Sequence, residues 1–456
     1  MGTAELHTVV LAAGKGTRMQ SAMPKVLHQI AGLSMLGHVL KLARDASCAD
    51  VSVVVGPGMD QVRAEVGRLA AGAKVYVQTE QKGTADAVLA ARAAIERRAV
   101  ETAADLIVLY GDTPLLRPET ISRLRAALEA GANVAVLGFE AADPTGYGRL
   151  LTDAGGNLTA IREDKDASPA ERAIRLCNSG VLAFRCPDVL AIFDRIGNAN
   201  SKGEYYLTDA VEIARNDGLN AVAVVCPADE VLGIISRAQL AAAEALYQRR
   251  ARHAAMTNGV TLIAPDTVWF SHDTVVGRDV TIEPNVFFGP GVAIEDEVII
   301  HANCHFVGAT VRRAAEVGPF ARLRPGADIG PEVHIGNFVE VKNTTMEAGA
   351  KANHLAYLGD GHVGARTNVG AGTIFCNYDG FRKHRTEIGA GAFIGSNTSL
   401  VAPVRIGDGA FIGSGSVITK DVEADALALE RSEQQVRPGW AGRFRALMAR
   451  QKQKAG

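Results

Sequence analysis

Apolar and polar residues follow two different rhythms along this chain, and the change falls near its middle. In the first half, short apolar runs end in glycine or an acid: TVVLAAG, VSVVVG, LIVLYGD and VAVLGFE. Between several of them lie alanine-rich stretches of helical length, such as TADAVLAARAAIERR and PETISRLRAALEA. Continuous apolar strands separated by helices predict a parallel sheet covered on both faces, an α/β domain. Ligands of such sheets sit at the carboxyl ends of the strands. The stretch LAAGKGTRMQSAMPK, Leu11 to Lys25, occupies such an end, and so does Asp112 in LIVLYGD.

From Ser236 the pattern changes. SRAQLAAAEALYQRRARHAAMTNG carries the alanine, leucine and charge of one long helix closed by Asn258-Gly259, a rigid connector. A repeat of six follows: Val276, Ile282, Phe288, Ile294 and Ile300, then, after one shift of register, Val317, Leu323, Ile329 and Ile335. Val363 and Val369 continue it, and then Ile388, Ile394, Leu400, Ile406 and Ile412. A helix cannot use a strict period of six. Six residues make one short strand and a turn, with the branched residue inward and a small residue at the corner. Stacked coils of this kind form a parallel β-helix. The repeat breaks between Val369 and Ile388 at CNYDGFRKHRTE, and an insertion in a coil maps to a loop on one face. The pattern divides the chain into 1–235, a connector at 236–259 and a repeat domain at 260–456.

Composition narrows the classes. The length of 456 residues calls for two or three domains. A net charge of −2 offers no electrostatic case for nucleic acid. The N-terminal MGTAELHTVVLAAGKG has no basic leader and reads as no signal peptide, and no apolar run approaches the ~18 residues of a membrane span. Six scattered cysteines without a C-x-x-C pair fit a reduced compartment. The basic end, RFRALMARQKQKAG, reads as a fraying helix or tail and receives no function.

The turn after the first strand is neither a P-loop nor a dinucleotide fingerprint. No G-K-[ST] closes it, and Met19 stands where a last glycine would be. Its ingredients still suit an anion: a glycine turn with exposed backbone N–H groups, and positive charge from Lys15, Arg18 and Lys25.

Taken together, the motifs resemble one family, the bacterial bifunctional N-acetylglucosamine-1-phosphate uridyltransferases and glucosamine-1-phosphate acetyltransferases. LAAGKGTRM with its later PK, QTEQKGTADAV, YGDTPLL, DPTGYGRL and NSGVLAF match the nucleotidyltransferase half in order. PFARLRPGA, GNFVEVKN, NHLAYLGD, GAGTIFCNYDG and IGSNTSLVAPV are similar to the acetyltransferase half. The resemblance implies a Rossmann-like nucleotidyltransferase domain, a long connector helix and a left-handed β-helix of hexapeptide repeats. It implies that the second half acetylates glucosamine-1-phosphate with acetyl-CoA, and that the first joins the product to UTP with Mg2+, releasing pyrophosphate. It further implies a cytoplasmic homotrimer with no nucleic-acid or membrane partner, supplying a cell-wall precursor.

Residue by residue, the resemblance assigns Leu11, Ala12, Ala13, Gly14, Lys25, Gln78, Gly83, Thr84, Tyr110, Gly111 and Asp112 to UTP and the product nucleotide. Gly148, Glu163 and Asn178 match contacts to the sugar, and Arg18 and Lys25 match the groups that neutralise the α-phosphate. Asp112 matches a magnesium ligand. In the second half His354 matches the catalytic base, a role that suits a histidine. Arg324, Lys342, Tyr357 and Asn368 match the sugar-phosphate site. Asn377 and Tyr378 in the inserted loop match substrate contacts and, with Ala371, Ser396, Ser414 and Arg431, fall to the acetyl-CoA site. Lys383 is a further cation for the phosphate or a solvated loop charge.

One position departs. The family shows a magnesium-binding asparagine in G-V-N-x-R before the connector, and here the text is GIISR, with Ile235 in that place. An isoleucine offers no oxygen to a hard cation. Rival readings are a single-activity nucleotidyltransferase whose β-helix only oligomerises or binds effectors, a zinc site between the subunits of a β-helix trimer with His301, His305, His334, His354 and His362 as candidate ligands, and a non-catalytic sugar-nucleotide sensor.

Overall fold

The computed structural model describes residues 5–14, 16–186 and 189–455, so Lys15 lies outside the described residues. The chain divides into two compact units, Met1–His253 and Ala254–Gly456.

Among the described residues the first unit is built on a nine-stranded sheet whose main path is seven strands: β1 (Leu6–Leu11), β2 (Asp50–Val55), β3 (Lys74–Val77), β4 (Asp105–Tyr110), β5 (Val134–Glu140), β6 (Leu176–Phe184) and β7 (Ala221–Val225). Their order across the sheet is β7-β5-β6-β4-β1-β2-β3. All neighbours run parallel except at β6, which is antiparallel to both β4 and β5. The sheet is therefore mixed rather than purely parallel. The chain leaves β5 not through a helical crossover but through a hairpin of Arg149–Thr152 and Leu158–Arg162, and returns in the opposite sense. Apolar residues on opposite faces of β1 join different cores, Leu6 and Val10 one and Val9 and Leu11 the other, as a sheet covered on both sides demands. Helix α1 (Thr84–Leu89) follows β3, α2 (Asp209–Asn216) follows the β6 region, and α3 (Arg237–Thr257) runs past His253, the last residue of the unit. Gly259 follows α3 in the left-handed region, at φ 96°.

The second unit is the stacked coil that the period of six predicts. Thr281-Ile282 pairs in parallel with Ile299-Ile300, eighteen residues on, so three six-residue segments make one coil. Ile299-Ile300 then pairs with Glu316-Val317, a coil one residue shorter, which is the shift of register in the sequence. Ile282, Phe288, Ile294, Ile300, Val317, Leu323, Ile329 and Ile335 all point inward and are buried. Phe270, Phe288 and Phe306 stack in a column with ring centroids 5.3 Å apart at each step. The strands that carry candidate chemistry are β8 (His334–Asn337), β9 (Glu340–Met346), β10 (Lys351–His354), β11 (Tyr357–Val363) and β12 (Asn368–Val369). A last helix, α4 (Trp440–Ala455), stacks Trp440 on Phe444 at its start, with centroids 5.1 Å apart.

Two adjacent isoleucines separate the inward from the outward position. Ile300 is fully buried and Ile299 is 42% exposed. Chemical denaturation of the second unit is expected to show Ile300→Ala destabilising by about 2–5 kcal/mol, the cost of a core cavity. Ile299→Ala is expected to cost under about 1 kcal/mol in the same measurement.

Candidate functional site

At the carboxyl ends of β1, β3 and β4 lies a cavity of 360 Å³. Leu11, Ala12, Ala13, Gly14, Lys25, Gln78, Gly83, Thr84, Tyr110 and Asp112 line it, joined by Val26, Gln81, Ala87 and Glu204. Ten of the expected nucleotide residues thus share one wall, although about a hundred positions separate the first from the last. Gly111 lies just behind, its N–H donating to the Leu11 carbonyl at 2.9 Å.

Glycines allow the close approaches. Gly16 sits at φ 63° and packs against the Lys25 side chain, so the turn after β1 folds back on the segment that delivers Lys25. At Gly83, φ 124°, a β-carbon would lie 2.5 Å from the Tyr205 carbonyl oxygen. Nothing lies within 4 Å of the Gly14 Cβ position, which leaves its backbone open to the cavity. Lys25 forms an ion pair with Asp112, both side chains largely shielded. Arg18 stands on an exposed single turn, Thr17–Met19, and does not line the cavity.

Gln78 is held by its amide nitrogen, which donates to Asp86 Oδ2 at 2.7 Å and to the Gly83 carbonyl at 2.9 Å. Its oxygen is left to accept from a ligand. Gln81, absent from the sequence expectations, donates from Nε2 to the Ala13 carbonyl at 2.8 Å and ties the loop after β3 to the first turn.

A second group forms beside the cavity. A β-carbon on Gly148 would be 3.5 Å from Glu163 Oε1 and 3.6 Å from Asn178 Cβ, so the three expected sugar residues meet. The Asn178 N–H donates to the Gly148 carbonyl at 2.8 Å, and Thr208 Oγ1 donates to Glu163 Oε1 at 3.2 Å. Burial raises the Glu163 carboxyl above its ordinary range. Burial, and then the charges of Asp112 and Glu163, raise the Tyr110 hydroxyl, which also bonds to Thr84. Asp209, first residue of α2, is pushed up to about 6, by burial first and then by Glu212 and Glu163.

In the second unit, Lys342, and Tyr357 through Asn377, gather about a carboxylate that the sequence did not single out. Asp360 on β11 is buried. It accepts from Asn343 Nδ2 at 2.8 Å and from Asn377 Nδ2, and its oxygens lie 3.4 Å from Lys342 Nζ. Burial opposes ionisation there, but the two amides and the lysine outweigh it and hold the carboxyl below its usual range. Asn377 Nδ2 also reaches the Tyr357 hydroxyl at 3.4 Å. Arg324 Nη1 donates to Glu340 Oε1 at 2.8 Å. His354 pairs with Asn337, Nδ1 to Oδ1, at 2.7 Å. Asn368 lies on β12, paired with β10.

Ala371, Ser396, Ser414 and Arg431 follow one edge of successive coils. The Asn397 N–H donates to the Ala371 carbonyl at 2.7 Å, Ser396 N–H to Ser414 Oγ at 3.1 Å, and Arg431 Nη1 to the Ser414 carbonyl at 2.9 Å. Tyr378 and Lys383 bridge the inserted loop, with Lys383 Nζ 4.4 Å from the Tyr378 ring centroid, so this lysine lies over an aromatic face.

The other histidines have partners of their own. His301 bonds to Glu283 and Glu316 at 3.0 and 2.8 Å, His362 to Glu347 at 3.1 Å, and His305 stacks on Phe287. His334 lies 3.4 Å from Glu316. Among the described residues no group of three histidines, cysteines or acids is arranged to hold a metal.

Comparison with known proteins agrees with this geometry. The family described as MobA-like NTP transferase domain matches residues 8–174. Bacterial transferase hexapeptide (six repeats) matches 273–307 and 385–420. The Bifunctional protein GlmU of Azorhizobium caulinodans is 62% identical over 99% of this chain and 100% of its own length. That of Xanthobacter autotrophicus is 61% identical with the same coverage, and that of Paramagnetospirillum magneticum 53% over the whole of both chains.

Asp209 gives this site a pH signature. A carboxyl moved from 3.8 to about 6 binds its proton more tightly in the folded than in the unfolded chain, so its contribution to stability is lost as pH rises from about 4 to about 6. Asp209→Asn removes that loss. The stability difference between variant and wild type, from denaturation at each pH, is expected to grow in the variant's favour across this window.

Proposed function

The chain belongs to the family of bifunctional GlmU proteins, and from that premise we infer that it performs two steps of UDP-N-acetylglucosamine synthesis. It is an N-acetylglucosamine-1-phosphate uridyltransferase and a glucosamine-1-phosphate acetyltransferase. The observation that carries this is identity above half over the full length of both halves, together with a separate polar site in each unit. The reading of the β-helix as an oligomerisation module alone is not favoured.

In the first unit the cavity holds UTP, with the Gln78 oxygen accepting from the uracil imide N–H, a donor that cytosine lacks. Gly148, Glu163 and Asn178 hold the sugar. The phosphate oxygen of N-acetylglucosamine-1-phosphate attacks the α-phosphorus in line, and pyrophosphate leaves. No proton need move, so positioning and charge carry the rate. Lys25 sits at the cavity wall to neutralise the developing charge, and Arg18, exposed on its short turn, closes over the phosphates.

Magnesium, when bound, spreads the phosphate charge, and Asp112 is the carboxylate placed to hold it. Magnesium on a nucleotide needs only one or two protein carboxylates, so the site fits. The second expected donor is missing. The Ile234 N–H donates to the Asp112 carbonyl at 3.1 Å, so Ile235 follows directly on a residue tied to Asp112, and its side chain carries no oxygen. Ser236 does not stand free in its place, since its hydroxyl bonds to Gln239 Oε1 at 3.3 Å.

In the second unit Lys342, with Arg324 and Tyr357, takes the sugar phosphate. His354 takes the proton of the attacking amine, and the edge of Ala371, Ser396, Ser414 and Arg431 receives acetyl-CoA. A homotrimer, with this site between neighbouring chains, belongs to the same proposal. Exposed Phe320, Phe338 and Leu355 support it, because they form an apolar corner beside Asn337 and His354. Six free cysteines support a cytoplasmic location.

The test runs the two half-reactions on one preparation: glucosamine-1-phosphate with acetyl-CoA, and N-acetylglucosamine-1-phosphate with UTP and Mg2+. Turnover is expected in both, and loss of either refutes the bifunctional reading. Ile235→Asn is expected to lower the Mg2+ concentration for half-maximal uridyl transfer severalfold, and to tighten Mn2+ binding read by paramagnetic resonance. Unchanged metal affinity would show that position 235 does not face the metal.

A further inference from the structure

β10 lies parallel to β8, and the register sets His354 directly beside Asn337. Each is the last residue of its strand, and each is followed by a left-handed residue, Phe338 at φ 57° and Leu355 at φ 51°. The chain therefore turns the same corner in two successive coils. The Leu355 N–H donates to the Asn337 carbonyl at 3.0 Å, which locks the corners together. The two side chains leave one above the other, and their polar ends meet at 2.7 Å.

This contact constrains the imidazole. An amide oxygen only accepts, so the bond requires a proton on His354 Nδ1. A neutral imidazole has one such proton, and Nε2 is left with its lone pair. Without a partner, neutral histidine favours the opposite tautomer, in which Nε2 carries the proton and cannot serve as a base.

We propose that Asn337 is a positioning residue for acetyl transfer: it holds His354 in the Nδ1–H tautomer with Nε2 free for the amine. The proposal rests on the reading of His354 as the base. Starting from the neutral amine, the nitrogen forms its bond to the acetyl carbon while Nε2 accepts its proton. The C–S bond then breaks, and the thiolate takes that proton and leaves as CoA-SH. Throughout, Nδ1 keeps its proton and its bond to Asn337.

The choice of amide has a consequence. A carboxylate in this place would fix the same tautomer but also stabilise the imidazolium. Asn337 fixes the tautomer without adding charge. Of the strands paired with β10, β8 carries His334 and β12 no titratable group, while Lys351 is on β10 itself and Arg366 in the turn before β12. Arg324, Glu340, Lys342, Tyr357 and Asp360 belong to the same site.

The experiment compares wild type, Asn337→Ala, Asn337→Asp and His354→Ala in the full chain. It measures acetyl transfer across pH, with uridyl transfer and thermal melting as controls for folding. Asn337→Ala is expected to lower the acetyl-transfer kcat about 10–100-fold, as loss of an orienting partner does, with both KM values within roughly twofold. Asn337→Asp is expected to recover part of the rate and to move the acid limb of the kcat profile to higher pH. Wild-type kcat and pH profile in both Asn337 variants, with His354→Ala inactive, would overturn the proposal and leave His354 as the base. A rise in KM at unchanged kcat would overturn it too, because that marks Asn337 as a binding or structural group. Acetyl transfer by His354→Ala would instead overturn the reading of the base itself.

Discussion

Each coil of the second unit must lie flat on the next, and the chemistry of that half depends on this stacking. The inward column of branched residues supplies the burial, and the corners set how closely backbones approach. At Gly370 a β-carbon would meet the Ile394 carbonyl oxygen at 2.6 Å and the Ser396 nitrogen at 2.7 Å. A larger residue there would part the coils. Because most coils are 17 or 18 residues long, residues that far apart become vertical neighbours. Asn337 beside His354, and Asn343 and Asn377 about Asp360, are products of that registry.

The first unit solves the same problem differently. It gathers loops at the ends of strands, and its glycines let those loops close on one another. Tyr110 sits between the two groups that result. Asp112 and Glu163 both act on its hydroxyl, so the two groups share one electrostatic environment.

Much of this was legible in the residues. A period of six leaves few architectures, and the motif order named ten residues that line one cavity. What stayed hidden has physical reasons. An apolar run such as that of β6 reads the same whichever way the strand points, so its antiparallel direction emerged only with the hairpin before it. Asp360 stood in the motif NHLAYLGD, a lone acid in an apolar strand, but its partners come from other coils and no local spacing names them. Gln81 and Thr208 act by tying segments together, a role without local pattern. Arg18 does not line the cavity, because the short turn that carries it faces solvent, and sequence alone does not show which way so short a turn faces.

The central claim is that one chain holds two independent chemical sites, one in each compact unit. The most direct measurement mixes two full-length variants, Lys25→Ala and Lys342→Ala, and follows UDP-N-acetylglucosamine formed from glucosamine-1-phosphate, acetyl-CoA and UTP. Each variant alone is expected to stall, the first after acetylation and the second before it, while the mixture restores product. A mixture that stays inactive, or a single variant that loses both half-reactions, would contradict the account.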